Sequence, residues 1–189
     1  YSLWWILCLH ESYRVSGDKG KFEKYIPYAK GIIEQIIAPC VSEKGEVSYS
    51  FNFIDWPSCY QEGEKDSEKK VLERYAGVAY LTKLALNAAQ NILADYGEDC
   101  QLCKKLIACI DSNSYEIDIY KQIAALGVWS GYKTPSMKKT LLRGGAQGLS
   151  TFMSYPILTG VAAYGEYEAA LNMMKEYYGA MLEKGATTF

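Results

Sequence analysis

Apolar residues recur every three or four positions along several stretches of the chain, which is the spacing that predicts amphipathic helices. No comparable alternation of apolar and polar residues predicts a sheet, and the one alternating stretch, residues 47–54, fits a short extended loop or hairpin arm. The sequence therefore predicts an all-α fold. The three clearest stripes are Phe22, Tyr25, Ala29, Ile32, Ile33, Ile36 and Ile37; Leu102, Leu106, Cys109 and Ile110; and Tyr167, Leu171, Met174, Tyr178, Met181 and Leu182.

A similar glycine corner separates the predicted helices at three places: Ser16-Gly17-Asp18, Tyr96-Gly97-Glu98 and Tyr164-Gly165-Glu166. Glycine adopts the left-handed conformation that ends a helix, and an acid that opens the next helix faces the positive end of its dipole. A fourth corner, residues 131–135, ends in a proline, which a first helical turn tolerates. Short corners join antiparallel helices, so the sequence predicts about four helical hairpins.

Longer connections alternate with these corners. The first runs from Pro39 to about Asp66, where Ser67 is the expected N-cap of a long helix from Glu68 to Asp95. The others run from Asp111 to about Asp118, and through the glycine-rich residues 143–148 into a helix after Ser150. This alternation places the long loops together at one end of the helices, as in an α/α barrel whose mouth is lined by loops. We expect the functional site at that end.

Composition and charge argue against nucleic acid and membranes as partners of this protein. The chain has 189 residues, of which 49% are hydrophobic and 22% charged, and its formal net charge is -2. Lysines and glutamates are interleaved rather than gathered into a basic block, so nucleic acid is not an expected partner. The apolar runs are shorter than the roughly 20 residues that a membrane span requires, so no membrane association is expected. The compartment stays open between the cytoplasm and the periplasm.

Six cysteines and one histidine offer little metal or redox chemistry. Cys100 and Cys103 have the CxxC spacing of zinc and redox sites, but a zinc site needs a second ligand pair and His10 lies far away in the sequence. The pair also lies at a predicted helix start rather than at a strand-to-helix turn. We therefore expect reduced, mostly buried, inert thiols, and no metal or cofactor.

The strongest candidate chemistry lies at Asp55-Trp56, in a connection rich in aromatic residues. Carboxylates accept hydrogen bonds from sugar hydroxyls, and an indole face takes the CH side of a pyranose ring. The alternative is that Trp56 anchors the loop and Asp55 caps a local turn. Trp129 has the same two interpretations, and a core tryptophan is the commoner of the two.

Several stretches of the chain resemble one family, the α-L-rhamnosidases of the six-hairpin glycosidase group. The segments that carry the resemblance are Trp4 to Ser16 followed by Gly17-Asp18, Phe53-Ile54-Asp55-Trp56, Lys121-Gln122-Ile123-Ala124-Ala125-Leu126, and residues 177–189 with their Gly185-Ala186-Thr187-Thr188. In that family the Gly-Ala-Thr-Thr run leads into a Trp-Glu pair whose glutamate is the proposed general base. The sequence ends at Phe189, and the family's acidic, arginine-containing motif has no match here.

The resemblance implies an (α/α)6 barrel of which about four of six hairpins are present, with residues 1–189 as a single partial domain of a bacterial protein. It implies an inverting hydrolase that releases terminal rhamnose from a carbohydrate substrate, with both catalytic carboxylates outside the sequence and an inactive isolated chain. Asp55 and Trp56 match the sugar-binding loop, and Trp129 and Tyr155 are expected to line the same mouth. The open edges are expected to bind the remaining hairpins or to self-associate.

Two alternatives stay open at this point. One is a different six-hairpin carbohydrate-active enzyme, such as another glycosidase or a lyase on uronic-acid polymers. A lyase is expected to combine tyrosine and histidine near an arginine, which the isolated His10 does not support. The other is a helical-repeat interaction module that binds protein, for which Asp55 has no special role.

Overall fold

The computed structural model describes residues 1–50, 54–55, 68–113, 115–117 and 119–187. In this part of the chain the regular structure is helical, apart from one isolated antiparallel bridge between Val41 and Val47, so the predicted all-α fold is confirmed. The α-helices are α1 (Ser2–Ser16), α2 (Lys19–Phe22), α3 (Ile26–Ile32), α4 (Glu68–Asp95), α5 (Gln101–Asp111), α6 (Lys121–Trp129), α7 (Pro135–Leu142), α8 (Ser154–Ala162) and α9 (Tyr167–Glu183).

The chain divides into two compact units. The first comprises Tyr1–Asn52 and Val78–Ser114, and the second comprises Phe53–Gly77 and Tyr115–Phe189. Helix α4 therefore contributes its first ten residues to the second unit and the rest to the first. Asp55, Trp129 and Tyr155 all belong to the second unit.

The four glycine corners lie where the sequence predicts them. Gly17, Gly97, Gly131 and Gly165 have φ values of 65°, 73°, 95° and 80°, which is the left-handed region that a side chain disfavours. Each lies between two helices of the described chain. At the second corner the next helix starts later than expected, at Gln101, with Cys100 at the N-cap position. The acid nearest to its start is therefore Asp99 rather than Glu98, and the Asp99 carboxylate accepts a hydrogen bond from the Gln101 amide at 2.9 Å.

The first predicted stripe does not form one regular helix. In the first unit α2 is followed by a 3-10 turn at Glu23–Tyr25, then α3, a π-helical turn at Ile33–Ile37 and a second 3-10 turn at Ala38–Cys40. Pro27 has no N–H to donate to the carbonyl four residues earlier, which explains the interruption before α3.

The wide π turn changes which isoleucines face the core of the first unit. Ile33 and Ile37 are 3% and 0% exposed, whereas Ile36 is 41% exposed. The prediction that Ile36 belongs to the buried stripe is therefore wrong. A helical spacing of three or four residues places Ile36 on the same face as Ile33, but the π turn rotates it out.

In the second unit, α6 forms the centre and packs against α7 and α8, while α8 also packs against α9. Residues 121–128 of α6 are all buried, and Ile123 and Leu126 are fully inaccessible. The start of α4 approaches α6 closely, because a Cβ atom at Gly77 would lie 3.0 Å from Ile123 Cγ1. Glycine is thus the residue that lets these two helices meet.

In the second unit, the short corners lie at one end of the helices and the longer connections lie at the opposite end. At the corner end, the Tyr164 hydroxyl donates to the Thr134 carbonyl at 2.9 Å and Lys133 Nζ donates to the Ala163 carbonyl at 3.0 Å. At the other end, residues 143–150, residues 119–120 and Asp55 are joined by the hydrogen bonds described below. The prediction that the long loops meet at one end is therefore confirmed for this unit. The arrangement of hairpins in a ring stays a prediction.

Both connections of the second unit are longer than predicted. Helix α6 begins at Lys121 rather than after Asp118, and α8 begins at Ser154 rather than directly after Ser150. Helix α9 forms as predicted, but much of its apolar stripe faces outward. Tyr167, Leu171, Met174 and Leu182 are 67%, 52%, 41% and 59% exposed, whereas Met173 is buried.

The described helices do not include one that is both long enough and apolar enough to span a bilayer.

Candidate functional site

A buried carboxylate marks the long-loop end of the second unit. Asp55 is 6% exposed, and its Oδ2 atom accepts hydrogen bonds from Ser150 Oγ at 2.5 Å and from Gln122 Nε2 at 3.3 Å. A buried carboxylate is costly without such donors, so these two bonds stabilise its position. The three side chains come from three separate segments and form one polar cluster.

Gln122 and Ser150 each have a second role in the backbone. The Gln122 amide also donates to the Gly148 carbonyl at 2.9 Å, which ties the start of α6 to the glycine turn, residues 143–148. Ser150 Oγ also accepts the Met153 amide at 3.0 Å, so it caps the turn that leads into α8. The backbone at the start of α6 and before α8 therefore fixes the two side chains that bind Asp55.

Glu73, on the start of α4, fixes the beginning of α6 from the other side. It is 2% exposed, and its carboxylate accepts the Ile119 amide at 3.0 and 3.2 Å and the Tyr120 amide at 3.1 Å. Backbone amides at a helix start lack partners within the helix, and an anion is favoured there by the helix dipole. Glu73 therefore acts as a side-chain cap from another helix.

Lys121 adds a buried cation next to Gln122. The residue is 5% exposed, and its Nζ atom donates to the Gly145 carbonyl. Burial and, to a smaller extent, the nearby Arg143 lower the pKa of this lysine to about 8, while Glu176 acts in the opposite direction. Because the charged form is disfavoured by burial, its hydrogen bond to the glycine turn is the main local compensation.

The glycine turn is held at further points. Arg143 Nη2 donates to the Ile119 carbonyl at 2.6 Å, and the Ala146 amide donates to Glu176 Oε2 at 3.4 Å. Gly144, Gly145 and Gly148 have φ values of 66°, 56° and 85°. The glycine turn is thus tethered to the start of α6 and to α9. It offers carbonyl acceptors to the lysine and the glutamine at the start of α6.

Four hydroxyl groups lie close together on α8, on α9 and on the short segment that joins the glycine turn to α8. Ser154 Oγ and the Tyr178 hydroxyl are 2.5 Å apart, and Thr151 Oγ1 lies 3.4 Å from the Tyr177 hydroxyl. The two tyrosine rings pack edge to face with centroids 5.2 Å apart. These contacts attach α9 to the segment that carries Ser150. The result is a row of hydroxyl groups along the segment that follows Ser150.

The predicted aromatic residues lie in two different situations. Trp129 is half-buried, its indole N–H donates to Thr159 Oγ1 at 2.9 Å, and its ring meets Tyr155 edge-on at 5.7 Å. Tyr155 is 68% exposed. Trp129 is the last residue of α6 and Gln122 the second, which corresponds to about 10 Å along the helix axis. The structure thus brings Trp129 and Tyr155 together as a separate pair, and Trp56 lies outside the described residues.

The described cysteines of the first unit are free thiols, but the prediction that the thiols are mostly buried is wrong: Cys100 and Cys103 are buried, Cys40 and Cys109 are half-buried, and Cys8 is exposed. Cys103 lies in the first turn of α5, and its burial raises the pKa of the thiol to about 11. Cys100 Sγ donates to the Gln90 and Glu98 carbonyls at 3.5 and 3.4 Å. Such thiols are poor nucleophiles. Burial also lowers the pKa of His10, while the neighbouring Glu11 raises it. The described residues contain no group of three His, Cys, Asp or Glu side chains able to hold a metal ion.

The sequence pattern points to Asp55 but not to the side chains that hold it. Gln122 and Ser150 lie 67 and 95 positions away in the sequence, so no local pattern links them to Asp55. One signal was present for α6: Lys121 and Gln122 are polar residues at the start of a helix whose next residues are all apolar. Adjacent polar residues whose side chains are buried in a core need hydrogen-bond partners there.

Searches of protein-family models, of curated proteins and of solved structures found no match to this chain. The interpretation of the site therefore depends on its own geometry and on the sequence resemblance.

Proposed function

We propose that this chain forms part of the catalytic barrel of a glycoside hydrolase, an inverting α-L-rhamnosidase that releases terminal rhamnose. In this proposal the long-loop end of the second unit binds the sugar. The observation that carries it is the buried Asp55 carboxylate, held by an amide and a hydroxyl where the long loops meet. A carboxylate of fixed orientation is a strong acceptor for sugar hydroxyls, and binding sites of this kind combine few polar groups with apolar and aromatic walls.

The neighbouring groups support a neutral, hydroxylated ligand. Ser154, Tyr177 and Tyr178 supply hydroxyls that both donate and accept, which matches the two-way hydrogen bonding of sugars. Trp129 and Tyr155 form a separate aromatic pair with one well-exposed ring, and Trp129 lies about 10 Å along α6 from Gln122. Lys121, a buried cation in the described part of this site, donates to a backbone carbonyl of the glycine turn.

Asp55 is a binding residue in this proposal and not a catalytic acid or base. An inverting hydrolase needs two carboxyl groups about 6.5 to 9.5 Å apart on opposite sides of the scissile bond. Asp55 Oδ2 is buried and already accepts two hydrogen bonds, which does not suit proton exchange with a leaving group or a water. The catalytic carboxylates are expected elsewhere in the full-length protein.

The test is an assay of the full-length protein with an aryl α-L-rhamnoside. Asp55→Asn is expected to reduce kcat/KM by at least about tenfold, because a charged acceptor is replaced by a neutral amide. Glu183→Gln, which removes a charge from the exposed end of α9, is the matched control and is expected to change kcat/KM less than about twofold. Trp56→Ala is expected to behave like Asp55→Asn. Absence of rhamnoside cleavage by the unmodified protein contradicts the proposal.

A helical interaction module is the second candidate function, and one observation favours it. The exposed stripe of Tyr167, Leu171, Met174 and Leu182 on α9 is a row of apolar side chains of the kind that helical partners cover. This candidate predicts no rhamnose affinity and no effect of Asp55→Asn on binding a protein partner. The aryl rhamnoside assay therefore separates the two functions.

A further inference from the structure

The first unit carries an aromatic groove of about 820 Å³, lined by residues of α1 and of the helical segment that spans residues 23–37. This volume falls within the range of ligand sites, about 300 to 1,000 Å³. The aromatic and apolar residues of its wall are Trp5, Tyr25, Pro27, Tyr28, Ile32 and Ile36. Tyr28 and Ile36 are 67% and 41% exposed, so the groove presents large apolar side chains to solvent.

The π turn at Ile33–Ile37 shapes one end of the aromatic groove. Gln35 and Ile36 of this turn line the groove, whereas Ile33 and Ile37 of the same turn are buried. Single π turns inside helices are rare and frequently lie at functional sites. The turn therefore adds an amide and a large apolar side chain to a surface that regular helical spacing would shape differently.

Four polar side-chain groups of the groove have no hydrogen-bond partner among the described residues. They are the indole N–H of Trp5, the hydroxyls of Tyr25 and Tyr28, and the amide of Gln35. Trp5 and Tyr25 fix each other's orientation, because their rings meet edge to face with centroids 6.4 Å apart. Aromatic rings with unused donors suit a ligand that has apolar faces and several carbonyl acceptors.

Lys24 gives the groove a positive charge near the end opposite the π turn. Its Nζ atom lies 5.0 Å from the centroid of the Tyr25 ring, and no carboxylate of the described residues lies within ion-pairing distance of it. The acids of the same helical segment, Glu23 and Glu34, line a separate cavity together with Lys30. An anionic group on a ligand is therefore favoured next to Lys24.

The length of the groove distinguishes between ligands. Lys24 and Gln35 lie about 16 Å apart along the continuous helical segment. A polyproline II helix spans this length with about five residues, and its carbonyl groups make no internal hydrogen bonds. Proline-rich segments dock into aromatic-lined grooves of this kind. We propose that this groove binds a proline-rich peptide segment of a partner protein, with an acidic residue next to the prolines. This interaction surface does not depend on the proposed glycoside hydrolase function.

The experiment measures binding of a fluorescein-labelled peptide to the full-length protein by fluorescence anisotropy. The peptide has five prolines with a glutamate on each side, so it presents an acid to Lys24 in either direction of binding. A Kd of about 100 µM or lower is expected. A peptide with lysines in place of both glutamates is expected to bind at least about tenfold more weakly. Lys24→Met is expected to remove most of this difference between the two peptides.

Tyr28→Ala is expected to raise the Kd of the glutamate peptide at least about tenfold, because a few aromatic side chains carry most of the binding energy at such surfaces. Tyr167→Ala on α9 is the matched control, since Tyr167 is also 67% exposed and does not line the groove. It is expected to leave the Kd unchanged. Equal Kd values for Tyr28→Ala and the unmodified protein refute the proposal. Binding of dodecanoate without binding of the peptide also refutes it, because the groove is then a site for amphipathic carboxylates.

Discussion

Asp55 Oδ2 and Ser150 Oγ lie 2.5 Å apart although 95 positions separate the two residues in the sequence. The contact joins the loop before α4 to the segment before α8, and Gln122 joins both to the start of α6. One carboxylate oxygen therefore connects three segments of the second unit. The stability of this end of the unit and the geometry of the proposed sugar site depend on the same hydrogen bonds.

The Ser150→Ala variant is expected to lower the free energy of unfolding by about 1 to 3 kcal/mol, because Asp55 loses a donor and the Met153 amide loses an acceptor. Thr151→Ala, at the exposed neighbouring position, is the control and is expected to change stability by less than about 0.5 kcal/mol. Urea denaturation followed by circular dichroism measures both. Equal effects of the two variants contradict the structural role of Ser150.

Glu73→Gln keeps the size of the side chain but presents an NH2 group to backbone amides that need an acceptor. The expected loss is about 2 kcal/mol of unfolding free energy, since one of the amides of Ile119 and Tyr120 is left without its bond. Glu68→Gln on the exposed start of α4 is the control, and a loss of only a few tenths of a kcal/mol is expected there. A Glu73→Gln protein as stable as the unmodified one shows that the cap is dispensable.

Lys121 makes stability depend on pH in a specific direction. Its pKa is about 8 in the folded protein against an ordinary value of 10.5, so between these two values the unfolded chain binds more protons than the folded one. Stability therefore increases as pH rises from about 8 to about 10.5, by up to about 3 kcal/mol from this residue.

The matched variant for this prediction is Lys121→Met, which has a similar shape and no charge. Denaturation curves at several pH values give the difference in unfolding free energy between the two proteins. As pH rises from 7 to 10, the unfolding free energy of the unmodified protein is expected to increase relative to that of the variant. A difference that is constant over this range contradicts the burial of a lysine with a lowered pKa.

Two glycines of α9 and its corner are expected to respond oppositely to alanine. Gly165 has a φ of 80° and no atom within 4 Å of an added Cβ, so Gly165→Ala is expected to cost about 1 kcal/mol through the backbone alone. Gly179 lies inside α9 with equally open space, and Gly179→Ala is expected to stabilise by up to about 1 kcal/mol. Thermal denaturation measures both, and shifts of the same sign contradict this account.

The thiols are expected to differ sharply in reactivity. Cys8 is exposed, whereas Cys103 is 2% exposed and has a pKa raised to about 11 by burial. At pH 8 only about a thousandth of the Cys103 thiol is ionised, so iodoacetamide is expected to label Cys8 long before Cys103 in the native protein. Peptide mass mapping over time gives the two rates. Comparable rates indicate that α5 opens locally.

Local signals account for the parts of the fold that the sequence predicted. Glycine corners and the spacing of apolar residues predicted the bounds of α4 and the four turns, because these depend on residues a few positions apart. The π turn at Ile33–Ile37 was not predictable from spacing, since a single extra residue per turn leaves the same apolar composition. The partners of Asp55 were not predictable either, because the chain must fold before Gln122 and Ser150 reach it. The outward-facing stripe of α9 shows that periodicity predicts a helix but not what covers it.

The burial of the Asp55 cluster limits which residues of the proposed sugar site can be replaced. Substitutions at Asp55, Gln122 or Ser150 remove partners from groups that are partly or wholly hidden from solvent, so they reduce the fraction of folded protein along with the proposed sugar binding. The side chains of Tyr155 and Gln147 are exposed, and the described hydrogen bonds of these two residues are made by their backbone atoms. New specificities, in natural divergence or in a directed library, are therefore expected to arise at these outer positions while the buried cluster is retained.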